Sequence, residues 1–192
     1  MQTECVILAG GRNSRYGGKN KAFVEVEARR IIDRNLEVLS PVFPHIRIIS
    51  NSPELFQQYP YEVHEDIIKG IGPVGGIHTA LKTSAYDACF IVSCDMPFLD
   101  ETIIRKLLEQ NVRSACRAIV PDVSGKLEPM HAIYHKSILP DMEVYIAMDT
   151  KRSVYAFLEK IETCYVAFDG QDKPVQRAFI NINRPSDLEQ LF

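Results

Sequence analysis

The run Cys5-Val6-Ile7-Leu8-Ala9 stops at Gly10-Gly11, and no other segment constrains the fold as strongly. A handful of apolar residues bounded by glycine reads as a strand buried on both faces, the habit of parallel sheets covered by helices. The pattern then alternates. Ile31 to Leu39 has apolar residues at helical spacing with Pro41 just beyond, Ile46 to Ser50 reads as a strand, Pro53 to Gln58 as a short helix, and Tyr61 to His64 as a third strand. Pro73 opens a helix through Leu81, Asp87 to Ser93 is a buried strand, and Asp100 can cap a helix over Glu101 to Gln110. Later strands are expected at Ala118 to Pro121, Met130 to Tyr134, Cys164 to Phe168 and Phe179 to Asn181. Helices are expected at Ser137 to Ala147, Ser153 to Leu158 and Pro185 to Leu191. Strands alternating with helices predict a three-layer α/β/α sandwich with a Rossmann-like, mostly parallel sheet. The 192 residues suit one domain, 1–192, with a half over 1–110 and a second over 111–192.

Composition narrows the function. Twenty-two basic against 25 acidic residues give a net charge of −3, which argues against a nucleic-acid partner. No apolar run approaches the roughly 20 residues that span a bilayer, so no membrane partner is expected. Met1 to Glu4 does not begin like a signal peptide. The five cysteines are widely spaced without a CxxC pair, which reads as free thiols in the reducing cytoplasm.

Ligands of such sheets sit beyond the carboxyl ends of the strands. In that position after the first strand, Leu8 to Lys21 carries four glycines, the cations Arg12, Arg15, Lys19 and Lys21, and no acid. Glycines let backbone N–H groups approach an anion, and the cations add charge, so a polyphosphate fits; a flexible, solvated basic loop is the plainer alternative. It is not a P-loop, because Asn13 and Asn20 stand where that motif needs glycine and a hydroxyl. At the tip of a buried strand, Asp95 in Cys94-Asp95-Met96-Pro97 is either a hard oxygen ligand for Mg²⁺ or the cap of a turn. Asp66, read alone, could equally be a surface acid in a loop, and Asn183, read alone, is an N-cap or turn residue before Pro185.

Taken together, these blocks resemble the molybdenum cofactor guanylyltransferases, a family of nucleotidyltransferases. Leu8 to Lys21 is similar to LAGGxSxRMGxDK, with Tyr16 for Met and Asn20 for Asp. Glu65-Asp66 with Gly72 to Gly76 resembles the ED…GPLxG segment, Cys94 to Leu99 the CDxPfl phrase, Phe179 to Pro185 FxNxNTP, and Glu128 to Tyr134 a further segment. The resemblance implies a sheet of the nucleotide-diphospho-sugar transferase type and transfer of GMP from GTP to the phosphate of molybdopterin, releasing pyrophosphate. It implies Arg15, Lys21 and Asp95 as catalytic residues, with Asp95 holding Mg²⁺. The nucleotide-binding set becomes Leu8, Ala9, Gly10, Gly11, Lys21, Asn51, Asp66, Gly72 and Asp95, and Asn181 and Asn183 fall on the acceptor side. Implied partners are GTP and molybdopterin, with cofactor-handling proteins and acceptor apoenzymes beyond them. Alternatives are a cytidylyl or sugar-phosphate nucleotidyltransferase, or a non-catalytic nucleotide-binding regulator favoured only by Asn20. Leu8-Ala9-Gly10-Gly11, where CTP users carry LAAG, sides with GTP.

Two further patterns are decoys. Gly70 to Gly75 satisfies GxGxxG, but Pro73 removes an N–H from the turn and Asp66 to Lys69 separates the glycines from the preceding strand. His131 and His135 are four apart, which in a strand is about 13 Å and too far to share one ion; a structural role is expected.

Overall fold

The computed structural model describes residues 2–10, 20–148, 152–184 and 186–187. In chain order the elements are β1 (Thr3–Leu8), β2 (Glu25–Val26), β3 (Arg29–Arg30), α1 (Ile31–Leu39), β4 (Ile46–Ile49), β5 (Glu62–His64), α2 (Pro73–Thr83), β6 (Ala88–Ser93), α3 (Glu101–Arg113), β7 (Ala118–Val123), β8 (Lys126–Leu127), β9 (His131–His135), α4 (Leu139–Met148), α5 (Val154–Leu158), β10 (Thr163–Phe168) and α6 (Lys173–Ala178). The main sheet runs β10-β7-β9-β6-β1-β4-β5, with β8 hairpinned onto β7. β1, β4, β5 and β6 are mutually parallel, and β9 enters antiparallel between β6 and β7.

The period of two along each strand decides the layers. Cys5 and Ile7 of β1, Ala88 and Phe90 of β6, and Ile133 of β9 face one core, closed by α1, α3 and α6. Val6, Leu8, Cys89, Ile91, Ala132 and Tyr134 face the other, closed by α2, α4 and α5. Helix ends follow local chemistry: the Asp100 carboxylate accepts from the N–H groups of Thr102 and Ile103 to cap α3, as expected, and Pro73 starts α2.

Several expectations need correction. Phe179 to Asn181 is not a strand. Phe179 ends α6, which the sequence reading missed, and the following residues take one bond from the Ile182 N–H to the Asp95 carbonyl (2.8 Å) rather than a ladder. The β2–β3 hairpin was also missed, because its turn uses Glu27 and Ala28 at positive φ instead of glycine or asparagine. Cys116 and Cys164 are not free thiols. They form a disulfide (Cα–Cα 5.7 Å) because β7 and β10 pair side by side. Cys5, Cys89 and Cys94 are free and buried. Most of the closing helix expected over Pro185 to Leu191 lies outside the described residues. No helix among the described residues is long and apolar enough to cross a membrane.

Candidate functional site

Parallel pairing sends the ends of β1, β4, β5 and β6 to one edge of the sheet. There a cleft of about 550 Å³ opens, lined by Leu8, Gly10, Ile49, Asn51, Asp66, Gly70, Gly72, Pro73, Gly76, Ser93, Asp95, Met130 and Asn181. Leu8, Gly10, Asn51, Asp66, Gly72 and Asp95 of the expected nucleotide set thus share one cavity, together with Asn181, which was expected on the acceptor side. Because β9 runs against its neighbours, its entry brings Met130 to this edge, where the Ser93 N–H donates to the Met130 carbonyl (2.9 Å).

One wall is built on Asn51 and Asp66. The Asn51 amide donates to Asp66 Oδ2 (2.7 Å) and accepts from the Asp66 backbone N–H (3.2 Å), so the two loops brace each other. Asp66 Oδ1 is buried with no partner among the described residues, and an acceptor left so is costly unless a ligand donor meets it. Gly72 begins α2 at φ 68° and ψ −152°, a conformation for which glycine is needed. A Cβ on Gly76 would come within 2.8 Å of the Leu8 side chain, so the start of α2 lies close against β1 only because that residue is glycine. The GxGxxG decoy therefore belongs to this cleft wall.

The opposite side carries charge. Asp95 follows β6, and its Oδ2 accepts from the Lys21 ammonium at 3.0 Å while its Oδ1 accepts from the Ser93 hydroxyl at 2.5 Å. The same ammonium donates to Asn183 Oδ1 at 3.1 Å. Lys21 is placed by Asn20, which is nine-tenths buried or more. The Asn20 Oδ1 accepts from the Ala22 N–H (3.0 Å), and its Nδ2 donates to the Ala9 carbonyl (2.9 Å). This amide ties the returning loop to the end of β1, so the departure at position 20 has a structural reason. An aspartate could make the first bond but not donate the second.

Other expectations are modified. The Ala9 N–H donates to the Ile49 carbonyl (2.8 Å) and the Leu8 carbonyl accepts from the Cys94 N–H (3.0 Å). Ala9 is buried and does not line the cleft. These backbone groups are engaged in the sheet, which leaves Gly10 as the described backbone exposed to a ligand. Arg15 and Gly11 lie outside the described residues. Asn181 donates only to the nearby Phe179 carbonyl (3.1 Å). Ser93 and Met130 were missed: Ser93 is a plain strand residue in sequence, and Met130 reaches the edge only through the antiparallel insertion of β9.

Cys94, next to the site, and the two histidines of β9 are held by their own surroundings. Burial, with the Asp95 charge second, pushes the Cys94 thiol up to about 12, so it is no nucleophile near neutral pH. His131 packs edge-on between Phe90 and Phe179 (5.1 Å to each ring centroid), while His135 bonds Asn111 (2.5 Å). Both sit on a strand in structural roles, as expected.

As to a metal, the described residues contain no cluster of three His, Cys, Asp or Glu side chains. Asp95 beside the Ser93 hydroxyl, with Asp66 on the opposite wall, does not make an all-protein cage. It suits a hard ion that shares its coordination with substrate phosphates.

Residues 5–164 match the MobA-like NTP transferase domain. The chain is 34% identical to the molybdenum cofactor guanylyltransferase of Syntrophotalea carbinolica, covering 96% of this chain and 88% of that protein. It is 30% identical to the enzyme of the same name from Vibrio parahaemolyticus, covering 98% and 94%. The crystal structure of molybdopterin-guanine dinucleotide biosynthesis protein A from Archaeoglobus fulgidus superimposes with a TM-score of 0.82 at 26% identity, covering 97% of this chain and 95% of that one. Domain match, near-full-length relatives and shared architecture agree, and the chain belongs to the MobA-like NTP transferase family.

Proposed function

We propose that this protein is a molybdenum cofactor guanylyltransferase, moving GMP from GTP onto the terminal phosphate of molybdopterin and releasing pyrophosphate. The observation that carries the reading is the meeting of Lys21 and Asp95 (3.0 Å) at the mouth of a cleft whose far wall is the Asn51–Asp66 pair. The guanosine end is assigned to that far wall, against Gly10 and the start of α2. The triphosphate is assigned to the Lys21 side, joined by Arg15. Asp95 would hold Mg²⁺, which supplies charge neutralisation to the triphosphate when bound. Asn181 and Asn183 are assigned to the acceptor, with residues 111–192 as the acceptor half. Cytoplasmic location and contact with cofactor-handling proteins go with the same reading.

The chemistry asked of these residues is modest. The acceptor phosphate oxygen attacks the α-phosphorus, an O–P bond forms, and the bond to the bridging oxygen breaks as pyrophosphate leaves. No covalent enzyme intermediate is needed, so the side chains contribute position and charge. Lys21 neutralises charge that accumulates on the phosphoryl oxygens, in a site where neither it nor Asp95 is more than one-fifth exposed. Asp66 Oδ1, buried and without a partner among the described residues, is an acceptor for a hydroxyl or amino donor of the nucleoside. The one sequence feature that spoke for a mere nucleotide binder, Asn20, has instead a role in placing Lys21.

Pyrophosphate release from GTP, CTP or ATP in the presence of Mg²⁺ and molybdopterin tests the reading. GTP-dependent release is expected, with turnover reduced roughly 10²–10³-fold in Lys21→Ala and Asp95→Ala, the usual loss at sites of this kind. Preference for CTP would overturn the guanylyl assignment. Near-normal turnover in both variants would overturn the roles given to the two residues.

A further inference from the structure

Both carboxylate oxygens of Asp95 are already engaged by the protein, and unequally. Oδ1 takes a neutral hydroxyl, Ser93 (2.5 Å), whereas Oδ2 takes a full positive charge, Lys21 (3.0 Å). The ammonium is steadied by a second acceptor, Asn183 Oδ1 (3.1 Å). With 19% and 15% of these side chains exposed, water screens the pair only in part. Ser93 fixes the carboxylate by one oxygen and leaves Oδ2 as the one turned to a cation. A divalent ion on Asp95 would therefore meet the Lys21 charge at the same atom. Two cations a few ångströms apart repel strongly in so dry a place.

We infer that Lys21 guards Asp95: its ammonium and the divalent ion compete for Oδ2, and an incoming triphosphate ends the competition by drawing the ammonium onto itself. The inference deepens the proposed function and rests on its assignment of Asp95 to the metal and Lys21 to phosphate. Metal and nucleotide then favour each other's binding, and by linkage the enhancement is equal in both directions. The move also releases Asn183 from the ammonium, so loading of the nucleotide readies an amide on the acceptor side. Ser93 acts as a positioning residue, since it sets which oxygen the two cations contest.

The experiment is a titration of the full-length protein with Mn²⁺ alone, free ion being read by electron paramagnetic resonance, without nucleotide or acceptor. Lys21→Met and Lys21→Gln are expected to bind Mn²⁺ about tenfold more tightly than wild type, the size of a monovalent charge removed beside a divalent one. Lys21→Arg, which restores a cation, should stay near wild type, and Asp95→Asn should bind weakly even when combined with Lys21→Met. If the neutral variants bind Mn²⁺ no better than wild type while Asp95→Asn still loses it, the competition is wrong and the metal assignment stands. If Asp95→Asn in the Lys21→Met background binds as tightly as Lys21→Met alone, the metal assignment itself falls, and this inference with it.

Discussion

Replacement of Asn20 by alanine isolates how the loop that delivers Lys21 is held. The substitution removes two bonds of a side chain only 5% exposed: the acceptor for the Ala22 N–H (3.0 Å) and the donor to the Ala9 carbonyl (2.9 Å). The first is a cap on the short 3₁₀ turn Lys21–Phe23, and such caps are worth about 1 kcal/mol. The second is an ordinary buried bond of about 1 kcal/mol, and its loss leaves the Ala9 carbonyl only a long contact from the Ser50 hydroxyl (3.4 Å). The expected loss is therefore about 2 kcal/mol, or roughly 4–8 °C in Tm for a chain of this length. The fold survives, because native domains hold about 5–15 kcal/mol. GTP affinity should fall with it, since Lys21 is the adjacent residue. Asn20→Asp keeps the cap but cannot donate to Ala9, so it should lie about midway. Urea unfolding and calorimetric GTP titration check both variants. Asn20→Ala within about 0.5 kcal/mol of wild type, the range of an ordinary surface change, would refute the reasoning.

Three further outcomes follow from the same physics. Arg47 holds Glu4 bidentately (2.7 and 2.8 Å) with both side chains buried, so Arg47→Met strands a buried charge and should cost about 3–5 kcal/mol. Urea titration should show much of this recovered in the double variant with Glu4→Gln, and an unchanged midpoint in the single variant would contradict it. Burial pushes the His131 imidazole down from 6.5 to about 3. The unfolded chain takes up that proton below pH 6.5 while the folded chain refuses it until about pH 3. This contribution is complete above pH 6.5 and is lost on acidification at up to about 1.4 kcal/mol per pH unit. His131→Phe should flatten that part of the stability–pH curve, and an equal slope in the variant would count against it. Reduction of Cys116–Cys164, which closes a 48-residue separation, removes a constraint of about 4 kcal/mol by loop entropy, so melting with and without dithiothreitol should differ by several degrees.

Much of the architecture could be read from local pattern. The β1 run and its glycine stop, α1 from Ile31 to Leu39, the Pro73 start of α2 and the Asp100 cap of α3 all answer to short-range rules: strand burial, helical spacing, fixed φ and cap chemistry. The elements that escaped lacked such signals. The β2–β3 turn uses Glu27 and Ala28 at positive φ, and α6 is six residues long. The Phe179 to Asn181 segment has the composition of a strand but no neighbouring edge to pair with. In the candidate site, Asn51, Asp66, Gly72 and Asp95 entered the reading through the family resemblance, on loops that follow a strand or open a helix, and the four line one cleft. Ser93 and Met130 did not enter it.

The sequence by itself determined most of the longer strands and helices and which loops are rich in glycine, cations and carboxylates, because those properties depend on residues a few positions apart. It could not determine that Lys21 reaches Asp95 across 74 positions and Asn183 across 162. Nor could it determine that Ser93 takes one oxygen of Asp95, or that Cys116 meets Cys164. The distant meetings depend on strand order: β6 lies beside β1, which carries Asp95 to the Lys21 side, and β10 lies beside β7, which carries Cys164 to Cys116. Strand order is chosen by how both faces of the whole sheet are covered, a property of the packed chain and of no segment within it.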